Sequence, residues 1–195
     1  AHIRGGMEKG MKWWKEGKML KKKNTFHDYI AVANYLIKNK YTSKKKIIGM
    51  GGSAGGLLMG AVVNQAPELF LGIIMAVPFV DSLTTNLDHS LPLTIGEFKE
   101  FGNAKKYKKH FNYIFSYAPY NNIKKMEYPH MLITTSLSDN RVLFDEPAKY
   151  TAKLRDFKTD NNILLLKTEM EAGHGGKSGR DGAIEEIALD YAFAI

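Results

Sequence analysis

Residues 47–60 read IIGMGGSAGGLLMG: a short apolar run that ends in two glycines, a serine, an alanine and two more glycines. The pattern Gly51-x-Ser53-x-Gly55 matches the turn that lifts a nucleophilic serine above the end of a strand. The demand is steric. The serine must sit in a strained corner between strand and helix, and the residues two positions to either side must lack bulk so that the chain can fold back. Taken alone, the same letters also describe a glycine-rich corner with no chemistry.

Working outward from this corner, apolar runs alternate with helical patterns. A strand over Lys45–Met50 leads into the serine turn, and a helix rich in small residues follows from Leu57 to Asn64, closed by Pro67. Leu71–Val77 is almost continuously apolar, as expected of a parallel strand covered on both faces. Residues 82–128 contain no evident strand; they combine Thr84, Thr85, Asp88, Glu97 and Glu100 with a lysine-rich helical stretch at 104–115, an excursion suited to lining a site. His130–Ser136 is another strand, a helix over 145–157 carries Pro147 in its first turn, Asn162–Thr168 is the last strand, and a closing helix at 181–193 has Ile184, Ile187, Ala188 and Tyr191 on one face. Upstream, Ala1–Ile3 reads as the end of a strand, 5–23 as an irregular loop, and 25–38 as a helix opened by a Thr25–Asp28 capping box, with Phe26 and Ile30 on its buried side. Alternating strands and helices predict an α/β fold with a mostly parallel sheet flanked by helices.

In such a sheet the chemistry gathers beyond the carboxyl ends of the strands. Three strands end in Ser53, Asp139 and His174. A serine hydroxyl needs a base within hydrogen-bond reach and an orienter behind that base. Serine, aspartate and histidine occur here in the chain order of α/β-hydrolases. Individually Asp139 could be a turn residue and His174 a surface or capping histidine; together with Ser53 they form a catalytic constellation. His2, His27, His89, His110 and His130 lack paired metal-ligand spacing and read as structural or exposed, so neither a metal nor a cofactor is expected.

Composition narrows the function classes. With 195 residues, 44% hydrophobic and 25% charged, the chain suits one globular domain. It has no cysteine, which excludes disulfides, thiolate metal sites and a cysteine nucleophile. The apolar stretch Leu69–Val80 is shorter than the roughly 20 residues of a membrane span and contains Pro78. No signal peptide is evident, so a soluble cytoplasmic protein with no membrane partner is the expectation. A net charge of +8 raises nucleic-acid binding, but only four of the 28 basic residues are arginines. Scattered lysine is usually a solvated surface, so no nucleic-acid partner is expected.

The motifs carry a resemblance. AHIRGG at 1–6, GGSAGG at 51–56, VPFVD at 77–81, PLT at 92–94, EPAK at 146–149 and GHGGKSGR at 173–180 resemble the C-terminal catalytic part of the oligopeptidase B group, within the prolyl oligopeptidase family of serine peptidases. The resemblance implies an α/β-hydrolase fold and cleavage of short peptides after arginine or lysine. Ser53 would be the nucleophile, His174 the general base and then acid, Asp139 the orienter, and the Ala54 N–H one oxyanion donor, with a tyrosine upstream of residue 1 supplying the other. Two glutamates after the LT motif would bind a basic side chain. Glu97 matches the first; the second position is Lys99, with Glu100 beside it, which bears on any preference for paired basic residues. Arg141 would steady the site or a substrate carbonyl. Without the resemblance, Glu97 and Glu100 read as a solvated helical face and Arg141 as a surface ion pair. The family's β-propeller and the first strands of its sheet would lie outside 1–195. That leaves an unpaired strand edge and an isolated piece expected to fold poorly and show little activity. Two alternatives remain: an acylaminoacyl- or dipeptidyl-peptidase relative, and a peptide-binding remnant without turnover.

Overall fold

The computed structural model describes residues 1–195. Four parallel strands, β1 (Ile47–Gly52), β2 (Phe70–Ala76), β3 (His130–Ser136) and β4 (Leu164–Glu169), lie side by side in chain order. Their registers align Gly52 with Ala76, Ala76 with Thr134, and Ser136 with Glu169, so their carboxyl ends share one edge. Helices α1 (Met11–Lys15), α2 (Lys23–Lys38), α3 (Ala54–Val63), α4 (Ser82–Leu87), α5 (Phe98–Phe101), α6 (Lys108–Phe115), α7 (Asp145–Phe157) and α8 (Arg180–Ala194) complete the α/β architecture.

The strands alternate inward and outward side chains, and this divides the packing between two faces. On one face Ile73, Met75, Met131 and Ile133 meet Phe26 and Ala33 of α2, Leu57 and Met59 of α3, and Tyr150 and Leu154 of α7 in a single core. The other face carries α8, whose Leu189, Ala192 and Phe193 line an apolar groove of about 450 Å³ with Ile48, Leu71, Leu132 and Leu165. β2, central and apolar, matches the expected buried strand, with Phe70 and Gly72–Met75 buried. β1 lies at an edge of the sheet, with Met50 56% exposed. No helix is long and apolar enough to cross a membrane.

Three local expectations are corrected. Ala1–Ile3 joins no ladder; its only neighbouring β-type contact is the Arg4–Gly6 bridge, because no strand in residues 1–195 lies against it. The Thr25–Asp28 capping box does not form. α2 starts earlier, at Lys23, and both side chains reach across to the N-terminal segment instead. Thr25 Oγ1 donates to the Arg4 carbonyl at 2.7 Å, and the Asp28 carboxylate accepts from Arg4 N, Nε and Nη2 at 2.9, 2.8 and 2.5 Å. That fork holds the Asp28 carboxyl below its usual range. Finally, the α8 stripe Ile184, Ile187 and Tyr191 points outward, 52%, 54% and 65% exposed. The helix is apolar on more than one side, so periodicity alone did not select the face that meets the sheet.

Candidate active site

Ser53 sits between β1 and α3 with φ 54° and ψ −116°, a left-handed conformation unusual for a residue with a side chain. Such strain persists only where the surroundings over-determine it. Here the Ser53 N–H donates to Ala76 O at 2.9 Å, and its carbonyl accepts from the N–H groups of Gly56, Leu57 and Phe79 at 2.9, 3.2 and 3.0 Å. The glycine requirement is narrower than the motif suggests. A Cβ on Gly51 would lie 2.3 Å from the Gly55 carbonyl oxygen, and one on Gly56 would lie 2.3 Å from Pro78 Cβ. At Gly55 nothing lies within 4 Å.

The three residues expected to act together converge on this turn. His174 Nε2 lies 3.0 Å from Ser53 Oγ, and His174 Nδ1 lies 2.7 Å from Asp139 Oδ2. Asp139 follows β3 and is 4% exposed. Its other oxygen, Oδ1, accepts from the N–H groups of Arg141 and Val142 at 2.8 and 3.0 Å. The turn-residue reading and the functional reading of Asp139 therefore coexist: one oxygen caps the loop and the other faces the imidazole. A carboxylate acceptor at Nδ1 puts the ring proton there, leaving Nε2 free to accept the serine proton. His174 follows β4 in the loop beginning at Met170, where Gly176 donates to Gly173 O at 3.1 Å and Lys177 N donates to Glu186 of α8 at 2.9 Å.

Beside Ser53 opens a small recess lined by Ala54, Phe79, Thr85, Thr94, Glu97 and Arg141, among others. The Ala54 N–H, the first of α3, donates to no group in the chain and lies at the helix's positive end. Glu97 lines the recess without an ion-pair partner. Burial, and secondarily the nearby Glu100 charge, push its carboxyl above the ordinary range. Glu100 does not line the recess. Its oxygens accept from Trp14 Nε1 at 3.0 Å and from the nearly buried Lys22 Nζ at 2.9 Å. Lys99 is exposed. Arg141 lines the recess and forms no ion pair within the chain, unlike the surface-pair alternative.

Sequence reasoning placed Thr85 in the excursion suited to lining a site, and Thr94 and Glu146 only within the PLT and EPAK motifs, and gave none of the three a role of its own. Glu146, in the first turn of α7, is 3% exposed. It accepts from the Asp81 N–H at 2.9 Å and from the Thr85 hydroxyl. Burial pushes its carboxyl up to about 7, with the Thr85 and Asp81 hydrogen bonds opposing and the Asp81 charge adding to the rise. Asp81 is itself buried and paired with Lys149 at 2.7 Å. A glutamate near the start of a helix ordinarily reads as a solvated, dipole-favoured residue, so nothing in the sequence signals its burial.

The arrangement can activate a hydroxyl, hold its base in one tautomer and present a carboxylate to a neighbouring cation. Comparison with known proteins identifies the family. The model of the prolyl oligopeptidase family matches residues 1–195. Over all 195 residues the chain is 54% identical to Protease 2 of Moraxella lacunata and 50% identical to dipeptidyl aminopeptidase BI of Pseudoxanthomonas mexicana. It spans 28% and 27% of their lengths. Its fold superposes on oligopeptidase B from Leishmania major with a TM-score of 0.97 at 47% identity, covering 100% of this chain and 27% of that one. Oligopeptidase B from Trypanosoma brucei with covalently bound antipain gives 0.95 at 47% identity, covering 98% and 27%. The chain belongs to the prolyl oligopeptidase family.

Proposed function

We propose that this chain forms the catalytic part of a serine peptidase that cleaves short peptides after arginine or lysine. One observation carries the reading: the continuous contact from Asp139 through His174 to Ser53 at the strained turn. In the proposed cycle, Ser53 Oγ attacks the scissile carbonyl carbon while His174 Nε2 takes its proton. Asp139 stabilises the imidazolium, and the Ala54 N–H donates to the developing oxyanion. His174 then protonates the leaving amine, and a water activated by the same imidazole releases the acyl group. The covalently bound antipain of the Trypanosoma brucei oligopeptidase B supports a nucleophile that forms a bond to its ligand.

Preference for a basic side chain rests on Glu97. A desolvated cation is costly without a partner, and the half-buried Glu97 is the carboxylate in the recess with none of its own. Glu100, already bonded to Trp14 and Lys22, would act on the recess only through its field. Arg141, with no internal partner, is positioned to meet a substrate carbonyl. The dipeptidyl aminopeptidase name of one relative makes an exopeptidase specificity the competing reading.

A fluorophosphonate probe applied to the full-length protein tests the nucleophile. Labelling is expected on Ser53 and should vanish in Ser53→Ala; a folded protein that stays unlabelled would sink the peptidase reading and favour a peptide-binding role. Arginyl, lysyl, prolyl and dipeptidyl reporters then separate the specificities, and equal rates on all of them would remove Glu97 from its assigned role.

A further inference from the structure

The recess presents a single unpaired carboxylate to a substrate cation. A guanidinium carries five N–H donors and an ammonium three, more than one carboxylate satisfies. The remaining donors need neutral acceptors. Thr85 lines the same recess, and its hydroxyl oxygen makes one hydrogen bond in the chain, to Glu146. An ionised Glu146 can only accept, so the Thr85 hydrogen must point at it, and the free lone pairs of Thr85 Oγ1 are left for another donor.

Glu146 is well placed to fix that orientation. It is buried and rigidly held: its second oxygen accepts from the Asp81 N–H, immediately ahead of α4. Thr85, on α4, in turn accepts at its carbonyl from Thr94 Oγ1 at 3.0 Å, and Thr94 is another residue of the recess. α7 also follows the loop of Asp139, Arg141 and Val142. One carboxylate at the start of α7 therefore holds α4, and Thr85 of α4 in turn holds Thr94.

We propose that Glu146 is a positioning residue for substrate: it turns the Thr85 hydroxyl hydrogen away from the recess, so that Thr85 Oγ1 accepts a hydrogen bond from the substrate's cationic head beside Glu97. The inference rests on the basic-residue reading given above and assigns two further residues to it. Protonated Glu146 would instead donate to Thr85, and the hydroxyl hydrogen would swing toward the recess and face the cation. The upward displacement of the Glu146 carboxyl places this reversal near neutral pH. The charged groups facing Glu146 are Asp81 ahead of α4 and Lys149 of α7, the latter also paired with Asp145; across the recess stand Glu97, which titrates as well, and Arg141.

The test uses the full-length protein with an arginyl reporter and its uncharged citrullyl counterpart, at pH 6 and pH 8.5. In the wild type, the arginyl preference in KM should be several-fold larger at pH 8.5, where Glu146 is ionised. Thr85→Val should lower that preference about tenfold at pH 8.5, with KM moving more than kcat, and Thr85→Ser should restore it; one charge-assisted hydrogen bond has about this effect. Glu146→Gln, whose amide can present either an acceptor or a donor to Thr85, should fall between them and keep only the pH dependence due to Glu97. A wild-type preference in Thr85→Val, or wild-type pH dependence in Glu146→Gln, overturns the assignment. Fluorophosphonate labelling of Ser53 distinguishes the two levels: labelling with unchanged preference rejects Glu146 and Thr85 alone, whereas an unlabelled wild type rejects the peptidase reading and this inference with it.

Discussion

Replacing Glu146 by glutamine should stabilise the fold, and only at the upper end of the pH range. In the unfolded chain this carboxyl loses its proton near the ordinary 4.5, whereas in the folded protein burial holds the proton until about 7. Between those values the folded state binds more protons than the unfolded one, so stability falls as pH rises through the window. The cost is absent below 4.5 and complete above 7. At 1.36 kcal/mol per pH unit it amounts to about 3 kcal/mol. Glutamine keeps the shape and carries no charge, so the variant escapes the cost. Glu97 and Asp190, also displaced upward, contribute in the same direction but are present in both proteins and cancel in the comparison. Asp28 and Asp160, displaced downward, act below this window. Hydrogen exchange of β2 and β3 amides, compared peptide by peptide between the two full-length proteins at the same pH, reads the difference. Protection should be similar at pH 4.5 and about a hundredfold higher in Glu146→Gln at pH 8, following about 1.4 kcal/mol per factor of ten. A ratio that does not change between the two pH values would show that Glu146 is not titrating inside the folded protein, and the reasoning from its burial would fail.

Other consequences follow from the same geometry. Asp139→Asn should keep the loop hydrogen bonds to Arg141 and Val142 but favour the wrong imidazole tautomer, lowering kcat on the order of 10⁴-fold in a reporter assay. Glu97→Gln should cut the discrimination between arginyl and neutral reporters by roughly 10- to 100-fold, with kcat less affected than KM. Because the Glu97 carboxyl is displaced upward, wild-type affinity for basic substrates should weaken as pH falls through its raised titration range, and that inflection should be missing in the variant. Gly51→Ala should abolish fluorophosphonate labelling, since its Cβ would press on the Gly55 carbonyl at 2.3 Å, whereas Gly55→Ala, with nothing within 4 Å, should remain labelled.

The parallel sheet and the convergence on Ser53 were legible because they are written in local signals. The continuous apolar run of β2 and the apolar residues of β3 identify buried strands by composition, and strand ends locate Ser53, Asp139 and His174 without any knowledge of distance. What escaped depends on contacts far apart in the chain. Thr25 and Asp28 have the spacing of a cap, but Arg4, more than twenty residues upstream, offers them a bidentate partner, and the long-range bonds prevail over the local one. Glu97 and Glu100 lie on one short helical segment and look equivalent as letters. Trp14 and Lys22, more than seventy residues away, claim Glu100 and leave Glu97 to the recess. Glu146 is the extreme case, a helix-start carboxylate whose burial is decided by Asp81 and Thr85 from a separate excursion of the chain.

These features share a physical logic. Ser53 holds a backbone conformation that costs about 1–3 kcal/mol, and an ionised Glu146 costs a comparable amount at neutral pH. Neither arrangement serves stability, and each is held by hydrogen bonds that leave it little freedom. Three N–H groups grip the Ser53 carbonyl, and the Asp81 N–H and Thr85 hydroxyl grip the Glu146 carboxylate. Strain confined to the wall and floor of one recess, and over-determined there, is what the proposed peptidase would require of preorganisation, because a nucleophile and a charge-bearing pocket that relaxed in the free protein would have to be reordered at every turnover. In the proposed reading the single carboxylate of the recess therefore need not act alone: while Glu146 is ionised it holds Thr85 as an acceptor, and one buried charge behind the wall supplies the polarity that a second exposed glutamate would otherwise have to provide.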